Sequence, residues 1–388
     1  IEGGKRVRDQ RHGGEGLYST GRFPTGLIRM QEPKQAPDSP DGDPLGPLLT
    51  EHFEAQAKRT PERVALIQDG QSIRFGELAE RVASVAFGLR SAGVGAGAMA
   101  GLHLERSIDW VVALLAILRA NATVVPLPPS YPQERLRELL DFAQLDVVID
   151  GAASPLCATT ATPLVHFEDL RTSTADGAPF APGDPDRAAF VLASSGSTGK
   201  PKLIVRSQRS FFHRLEWTWK ENPYGPEEVC CQKAHMTTTH GIYELFEPLL
   251  RGTSQVIIPD ETVRNLEGFW ETLHDHEVSR LLIVPSMLRA SLDMPEFRAP
   301  PLRVLVLMGE YVAPALAERA LQAFPETTRI YSIYGSTEAS SALVCDLREA
   351  FRPGEELALG RPITPSVEAL VLNEDLESVA PGESGRLY

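Results

Sequence analysis

Between residues 98 and 149 the chain alternates apolar strand and helix in a fixed order, and this alternation restricts its possible folds more than any other feature. An apolar strand over 98–104 precedes a helical segment over 107–120, with Ser107 placed to cap it. A second strand, 123–127, ends at Pro128-Pro129, and a helix over 132–142 leads to a third strand, 146–149. Parallel strands need long crossover connections, which helices supply, so the pattern predicts a parallel sheet covered by helices. Upstream, Leu78, Val82, Val85 and Leu89 recur at helical spacing and Gly93 supplies a stop. A second alternation follows, with strands expected at 188–193, 255–258, 280–284, 303–307 and 328–332 and helices at 266–277 and 313–323.

Three stretches depart from this texture. Residues 1–47 are rich in Gly, Pro, Asp, Arg and Gln, which suits a tail that stays mobile or drapes over a folded surface. Residues 152–186 read as a surface connection with one short apolar interruption at 163–167. After Glu338, Gly360, Pro362, Pro365 and Pro381-Gly382 punctuate short apolar runs, a pattern that favours antiparallel strands. The expected architecture is α/β: a tail over 1–47, a core of two strand-and-helix sheet subdomains over 48–342, and an incomplete, barrel-like β-rich part over 343–388. The sequence stops at Gly385-Arg386-Leu387-Tyr388 in what reads as mid-strand, as if cut, and the absence of Met at position 1 suggests processing, a tag remnant or an incomplete sequence.

A net charge of −14 argues against broad binding of a nucleic-acid backbone, which requires many Lys and Arg on phosphates. It leaves room for a nucleotide, which needs only a local cluster of donors. No apolar run reaches the length of a membrane span, and the basic start lacks the apolar stretch of a secretory signal. Cys157, Cys230, Cys231 and Cys345 show neither a CxxC spacing nor a disulfide framework, so buried thiols in a reducing, cytoplasmic compartment are expected.

The chemistry concentrates in Ser194-Ser195-Gly196-Ser197-Thr198-Gly199-Lys200-Pro201-Lys202. Two glycines admit an anion close to the backbone, four hydroxyls donate, and two lysines supply charge directly after an apolar strand. Only Ser197 and Thr198 separate Gly196 from Gly199, so this is not the P-loop of ATPases, which needs four intervening residues. A flexible linker would not carry Gly-Lys-Pro-Lys behind a strand; phosphate binding fits better.

These nine residues resemble the signature loop of the adenylate-forming superfamily, which comprises acyl- and aryl-CoA ligases, nonribosomal peptide synthetase adenylation domains and beetle luciferases. Weaker matches follow in the same order: Arg59-Thr60-Pro61-Glu62, then Pro126-Leu127-Pro128-Pro129-Ser130-Tyr131-Pro132 with Pro128 in place of Asp, then Tyr334-Gly335-Ser336-Thr337-Glu338. Gly382-Glu383-Ser384-Gly385 resembles a late family turn, with Arg386 in place of a second Glu.

The resemblance implies that Ser194 to Lys202 hold the β- and γ-phosphates of ATP, that Thr337 meets the α-phosphate and that Glu338 binds Mg²⁺. It places Gly309 and Glu310 along the adenine, with Tyr334 stacked on it, and Gly335 and Ser336 beside them. Catalytic roles fall to Lys202, Thr337 and Glu338. Leu203 stands where the family has Gly, which leaves less room beside the loop. Ser336 stands where peptide-synthetase domains have Pro, without damage to the nucleotide site.

Aligned through Glu244-Leu245-Phe246, Thr239 falls where amino-acid-activating domains place an Asp for the substrate ammonium. The pocket set implied by that alignment is Thr239, His240, Tyr243, Val306, Met308, Ile333 and Ser341, with His240 either lining it or acting as a structural histidine. A threonine cannot neutralise an ammonium group, so an acid without an α-amino group, or an amino acid held unusually, is expected. The expected reaction is adenylation of a carboxylic acid for transfer to a carrier-protein phosphopantetheine thiol. A CoA ligase and a catalytically silent nucleotide- or acyl-binding module are the alternatives. Past the position of Tyr388 the family carries a ribose-binding Asp, a hinge and a mobile domain with a catalytic Lys. The resemblance therefore implies a core that binds ATP and acid but adenylates poorly alone.

Overall fold

The structure, a computed structural model, describes residues 28–29, 46, 48–151, 156, 162–171, 180–195, 201–380 and 382–388. Numbered along the chain, its strands begin with β1 (Ile28–Arg29), β2 (Val64–Gln68), β3 (Gln71–Arg74), β4 (Met99–His103), β5 (Thr123–Pro126) and β6 (Val147–Asp150). Next come β7 (Leu164–His166), β8 (Ala188–Ser195), β9 (Pro201–Ser207), β10 (Val229–Gln232), β11 (Ser254–Ile257) and β12 (Val278–Ile283). The last are β13 (Val304–Met308), β14 (Arg329–Ser336), β15 (Ser340–Asp346), β16 (Arg361–Pro362), β17 (Val371–Leu372) and β18 (Arg386–Leu387).

Two sheets hold most of them. The first runs β1-β9-β8-β5-β4-β6-β7 and is parallel except where β8 meets β9. The second runs β16-β15-β14-β13-β12-β10-β11-β2-β3, parallel from β14 to β2 and antiparallel at both edges.

Alternation along the strands sorts residues onto opposite faces. Ala100, Val124 and Ile149 join the largest core, while Met99, Val125 and Val148 join a smaller one. The largest core includes Leu66 of β2, Leu102 of β4 and Phe246, so it joins the two sheets through the helices Phe75–Ser91, Ile108–Arg119 and Thr239–Leu249. The helix Ile108–Arg119 is buried on nearly every side, as an element packed within a core must be. Ser107 caps it, accepting the Trp110 N–H at 3.1 Å.

The strands and helices expected from 98 to 149 are present within a residue or two at each end. The expected boundary at 342/343 falls inside β15, because that strand pairs antiparallel with β14 and closes the second sheet. The change of texture after Glu338 is therefore first the edge of that sheet; only β17 and β18 form a separate antiparallel ribbon. Ile28–Arg29, within the expected tail, pair with Ile204 and Val205 of β9. Cys230, Cys231 and Cys345 are buried free thiols, whereas Cys157 lies outside the described residues. Among the described residues no helix is long and apolar enough to cross a membrane.

Candidate functional site

The antiparallel β8–β9 pair sets Ser194 opposite Lys202 and Ser195 opposite Pro201. Gly196, Ser197, Thr198, Gly199 and Lys200, which connect the two strands, lie outside the described residues. Lys202 is partly exposed, and Leu203 is buried with Val125, Leu127 and Val191 against the first sheet. Leu203 thus adds to the core of the sheet, where the sequence alone suggested crowding beside the loop.

Four residues beyond Lys202, the buried Arg206 reaches the second sheet. Its guanidinium donates to the backbone carbonyls of Thr337 and Glu338 at 3.3 and 3.4 Å. Two further bonds, to Ser210 Oγ at 3.0 Å and Ser210 O at 3.1 Å, fix it from the other side. β9 is thereby tied to the Thr337–Glu338 turn, about 130 residues away in sequence. That turn joins β14 to β15, and a Cβ on Gly335 would stand 1.9 Å from the Ser340 carbonyl oxygen, so only glycine closes it. Thr337 and Glu338 are partly exposed, and Tyr334 is 45% exposed, leaving its ring available to a flat ligand.

His240 and Gly309, far apart in sequence, meet here. Gly309 follows β13 at φ +94°, and a Cβ there would approach His240 Cε1 to 2.9 Å. Burial, helped by Lys233 and Arg214, pushes the imidazole down to about 4, so His240 is neutral at pH 7. Glu310 is turned another way: its carboxylate accepts the Ser286 N–H at 2.8 Å and the Ser286 hydroxyl at 2.7 Å. It thereby serves the first turn of the helix Pro285–Leu292.

Thr239, buried, opens the helix Thr239–Leu249, which Thr238 caps through the Gly241 N–H. Glu244 anchors the same helix. Its Oε2 accepts the N–H groups of Lys233 and Ala234 at 2.6 and 2.5 Å, and Lys233 Nζ lies 3.2 Å from its Oε1.

Val306, Met308, Ile333 and Tyr331 share one face of the second sheet and cluster with Trp217 of the helix Arg209–Glu221. The register sets Val306 beside Tyr331 and Met308 beside Ile333. Tyr243 is fully buried, and its hydroxyl is already bonded to Ser340 Oγ. Ser341 is also fully buried; its carbonyl lies 3.2 Å from His213 Nε2, and its hydroxyl has no partner among the described residues. Burial and Arg206 push His213 down to about 4.

Sequence reasoning missed Arg206, His213, Arg214 and Trp217. The last three lie on the helix Arg209–Glu221, where their spacing was the available signal: His213 and Arg214 precede Trp217 by four and three residues, on one helical side.

A family model described as AMP-binding enzyme matches residues 53–388. Phosphinothricin tripeptide synthetase PhsB of Streptomyces viridochromogenes is 31% identical over 94% of this chain and 32% of its own length. Tyrocidine synthase 3 of Brevibacillus parabrevis is 29% identical over 88% of this chain and 5% of its own. The chain thus spans a third or less of the length of these curated relatives. Among solved structures, the Klebsiella oxytoca NpsA N-terminal subdomain in complex with 3-hydroxybenzoyl-AMSN superposes with a TM-score of 0.75 at 25% identity, covering 87% of this chain and 86% of that one.

Proposed function

Because the chain belongs to the family of AMP-binding enzymes, we propose that it is the nucleotide- and acid-binding core of an enzyme that adenylates a carboxylic acid and passes the acyl group to a carrier-protein thiol. The observation that carries this reading is the clasp of Arg206 on the Thr337 and Glu338 carbonyls, which joins the two phosphate-facing motifs. A relative named as a tripeptide synthetase favours carrier transfer over a CoA ligase or a silent module.

Phosphate binding falls to the loop from Ser194 to Lys202, where Lys202 stabilises charge that moves onto pyrophosphate as it leaves. Thr337 is assigned to the α-phosphate. Magnesium shares phosphate oxygens, keeps waters and needs only one or two carboxylates, so a single partly exposed Glu338 fits as its protein ligand. When bound, the ion neutralises phosphate charge. Tyr334, Gly335, Ser336, Gly309 and Glu310 are assigned to the adenine side, with Glu310 acting through the Ser286 turn that it holds.

The acid is assigned to the space bounded by Thr239, His240, Tyr243, Val306, Met308, Ile333 and Ser341. None of these is a carboxylate, and His240 is neutral, so nothing in the set balances an α-ammonium group. An acid lacking that group is the preferred substrate.

Lys202→Ala and Glu338→Gln in the full-length protein should each cut acid-dependent ATP–pyrophosphate exchange by about 10²–10³-fold. Exchange at the parental rate in folded variants would remove both assignments.

A further inference from the structure

A small cavity of about 40 Å³ lies behind the acid-binding wall, lined by Arg214, Trp217, Thr218, Glu247, Leu282 and Val306 among others. Val306 belongs to that wall, and it stands two residues down β13 from Met308, about 7 Å deeper along the strand. The Arg214 side chain is 1% exposed. Its Nε donates to Glu247 Oε1 at 2.8 Å, and its guanidinium carbon lies 4.8 Å from the Trp217 ring centre and 5.8 Å from that of Tyr243. Arg214 Nη1, by contrast, has no hydrogen-bond partner among the described residues. A buried donor left without an acceptor is costly, and more so when it is charged.

We propose that Arg214 is a specificity-determining residue whose Nη1 donates to an uncharged oxygen, hydroxyl or carbonyl, at the far end of the acid's side chain. Glu247 decides the charge. Its carboxylate already neutralises Arg214 and also accepts the Thr218 hydroxyl at 3.0 Å. A second carboxylate brought into the cavity would meet Glu247 and Glu244, both of which line it, while Arg280, the other cation in the lining, is already held by both oxygens of Glu228. A neutral acceptor completes the guanidinium without that repulsion. The cavity admits about one such group, so the substrate is an acid of defined length ending in a single polar oxygen.

The inference rests on the adenylation reading, and the test separates the two. Non-hydrolysable acyl-sulfamoyl adenosines are titrated calorimetrically into this chain. Their acyl chains match in length and end in hydroxyl, methyl or carboxylate. The hydroxyl analogue of the right length should bind about 10–100-fold more tightly than its methyl isostere, the range expected for one charge-assisted hydrogen bond. The double variant Arg214→Met/Glu247→Leu, which leaves no buried charge unpaired, should bring that ratio within threefold. Glu247→Gln keeps the guanidinium in place and should shift preference at least tenfold toward the carboxylate analogue. Equal binding of hydroxyl and methyl analogues across all lengths overturns the Arg214 inference and leaves adenylation standing. So does a parental ratio in the double variant, or a Glu247→Gln variant whose preference does not move. Failure of every analogue to bind overturns both readings.

Discussion

Replacing Arg206 by methionine keeps most of the side-chain length and removes the only part that bridges the sheets. At least four bonds are lost, two at 3.0 and 3.1 Å to Ser210 and two at 3.3 and 3.4 Å to Thr337 and Glu338. Bonds to a charged group contribute about 1.5–3 kcal/mol each at good geometry, and the two longer ones fall at the low end. Because they share one group they do not add fully, so a loss of about 3–5 kcal/mol in stability is expected. The cation also lies 5.2 Å from the Phe211 ring centre, an attraction the thioether does not replace. The functional cost is separate: a turn released by roughly 1 Å loses about 10²-fold in rate through misplaced Thr337 and Glu338. Thermal unfolding measures the first quantity, and ATP–pyrophosphate exchange in the full-length protein measures the second. Arg206→Lys should recover part of the stability but little of the exchange, since an ammonium cannot span Ser210 and both carbonyls. If Arg206→Met melts early yet exchanges within threefold of the parent, Arg206 braces the fold without positioning the turn.

Gly309→Ala forces a side chain into the left-handed region and drives a Cβ to 2.9 Å from His240 Cε1. The backbone strain costs about 1–2 kcal/mol, and the displaced imidazole should raise the KM for the acid roughly tenfold with less effect on that for MgATP; equal effects on both would refute the contact's role in the acid site. A pH dependence follows from His213 and His240, each pushed from 6.5 to about 4 in the folded protein. The unfolded chain takes up these protons first, so stability present above pH 6.5 is lost as pH falls toward 4, by up to about 4 kcal/mol for the pair between pH 7 and 5. Denaturant titrations across that range should lose about half of this slope in His213→Asn, and an unchanged slope would remove that histidine from the account.

The parallel sheets were legible because their strands are short apolar runs punctuated by helices, and the family was legible in the sequence from Ser194 to Lys202 because a loop suited to anions restricts residue type so tightly. The helix Thr239–Leu249 was not. It opens on Thr239, His240 and Gly241, all weak helix formers, and carries Pro248 near its end, so local propensity argues against what tertiary packing imposes. Most of the helix is buried, and Glu244 holds it through two backbone N–H groups, contacts that no spacing rule reveals. β15 was hidden for a related reason. It extends the second sheet antiparallel after a run of parallel strands, and Ser340, Ser341 and Ala342 carry no apolar alternation to announce it.

Residues assigned to phosphate could thus be proposed from the sequence directly, those assigned to the acid only through alignment, and those behind the acid set not at all. The difference is physical. Phosphate is one chemical group that demands glycine, hydroxyl and cation in close order along the chain. The proposed acid pocket is assembled from β13, β14, β15 and the helix Thr239–Leu249, each giving one to three side chains at positions that any core residue could occupy. Arg214 illustrates the consequence. In sequence it is an arginine on an amphipathic helix, where a solvated charge is the ordinary expectation. In the structure it is 1% exposed, pairs with Glu247 from another helix and keeps one donor group without an acceptor among the described residues. Burying an ion pair contributes little to stability compared with apolar residues of the same volume. Holding Arg214 and Glu247 behind Val306 therefore makes physical sense when the remaining donor acts on what enters the pocket.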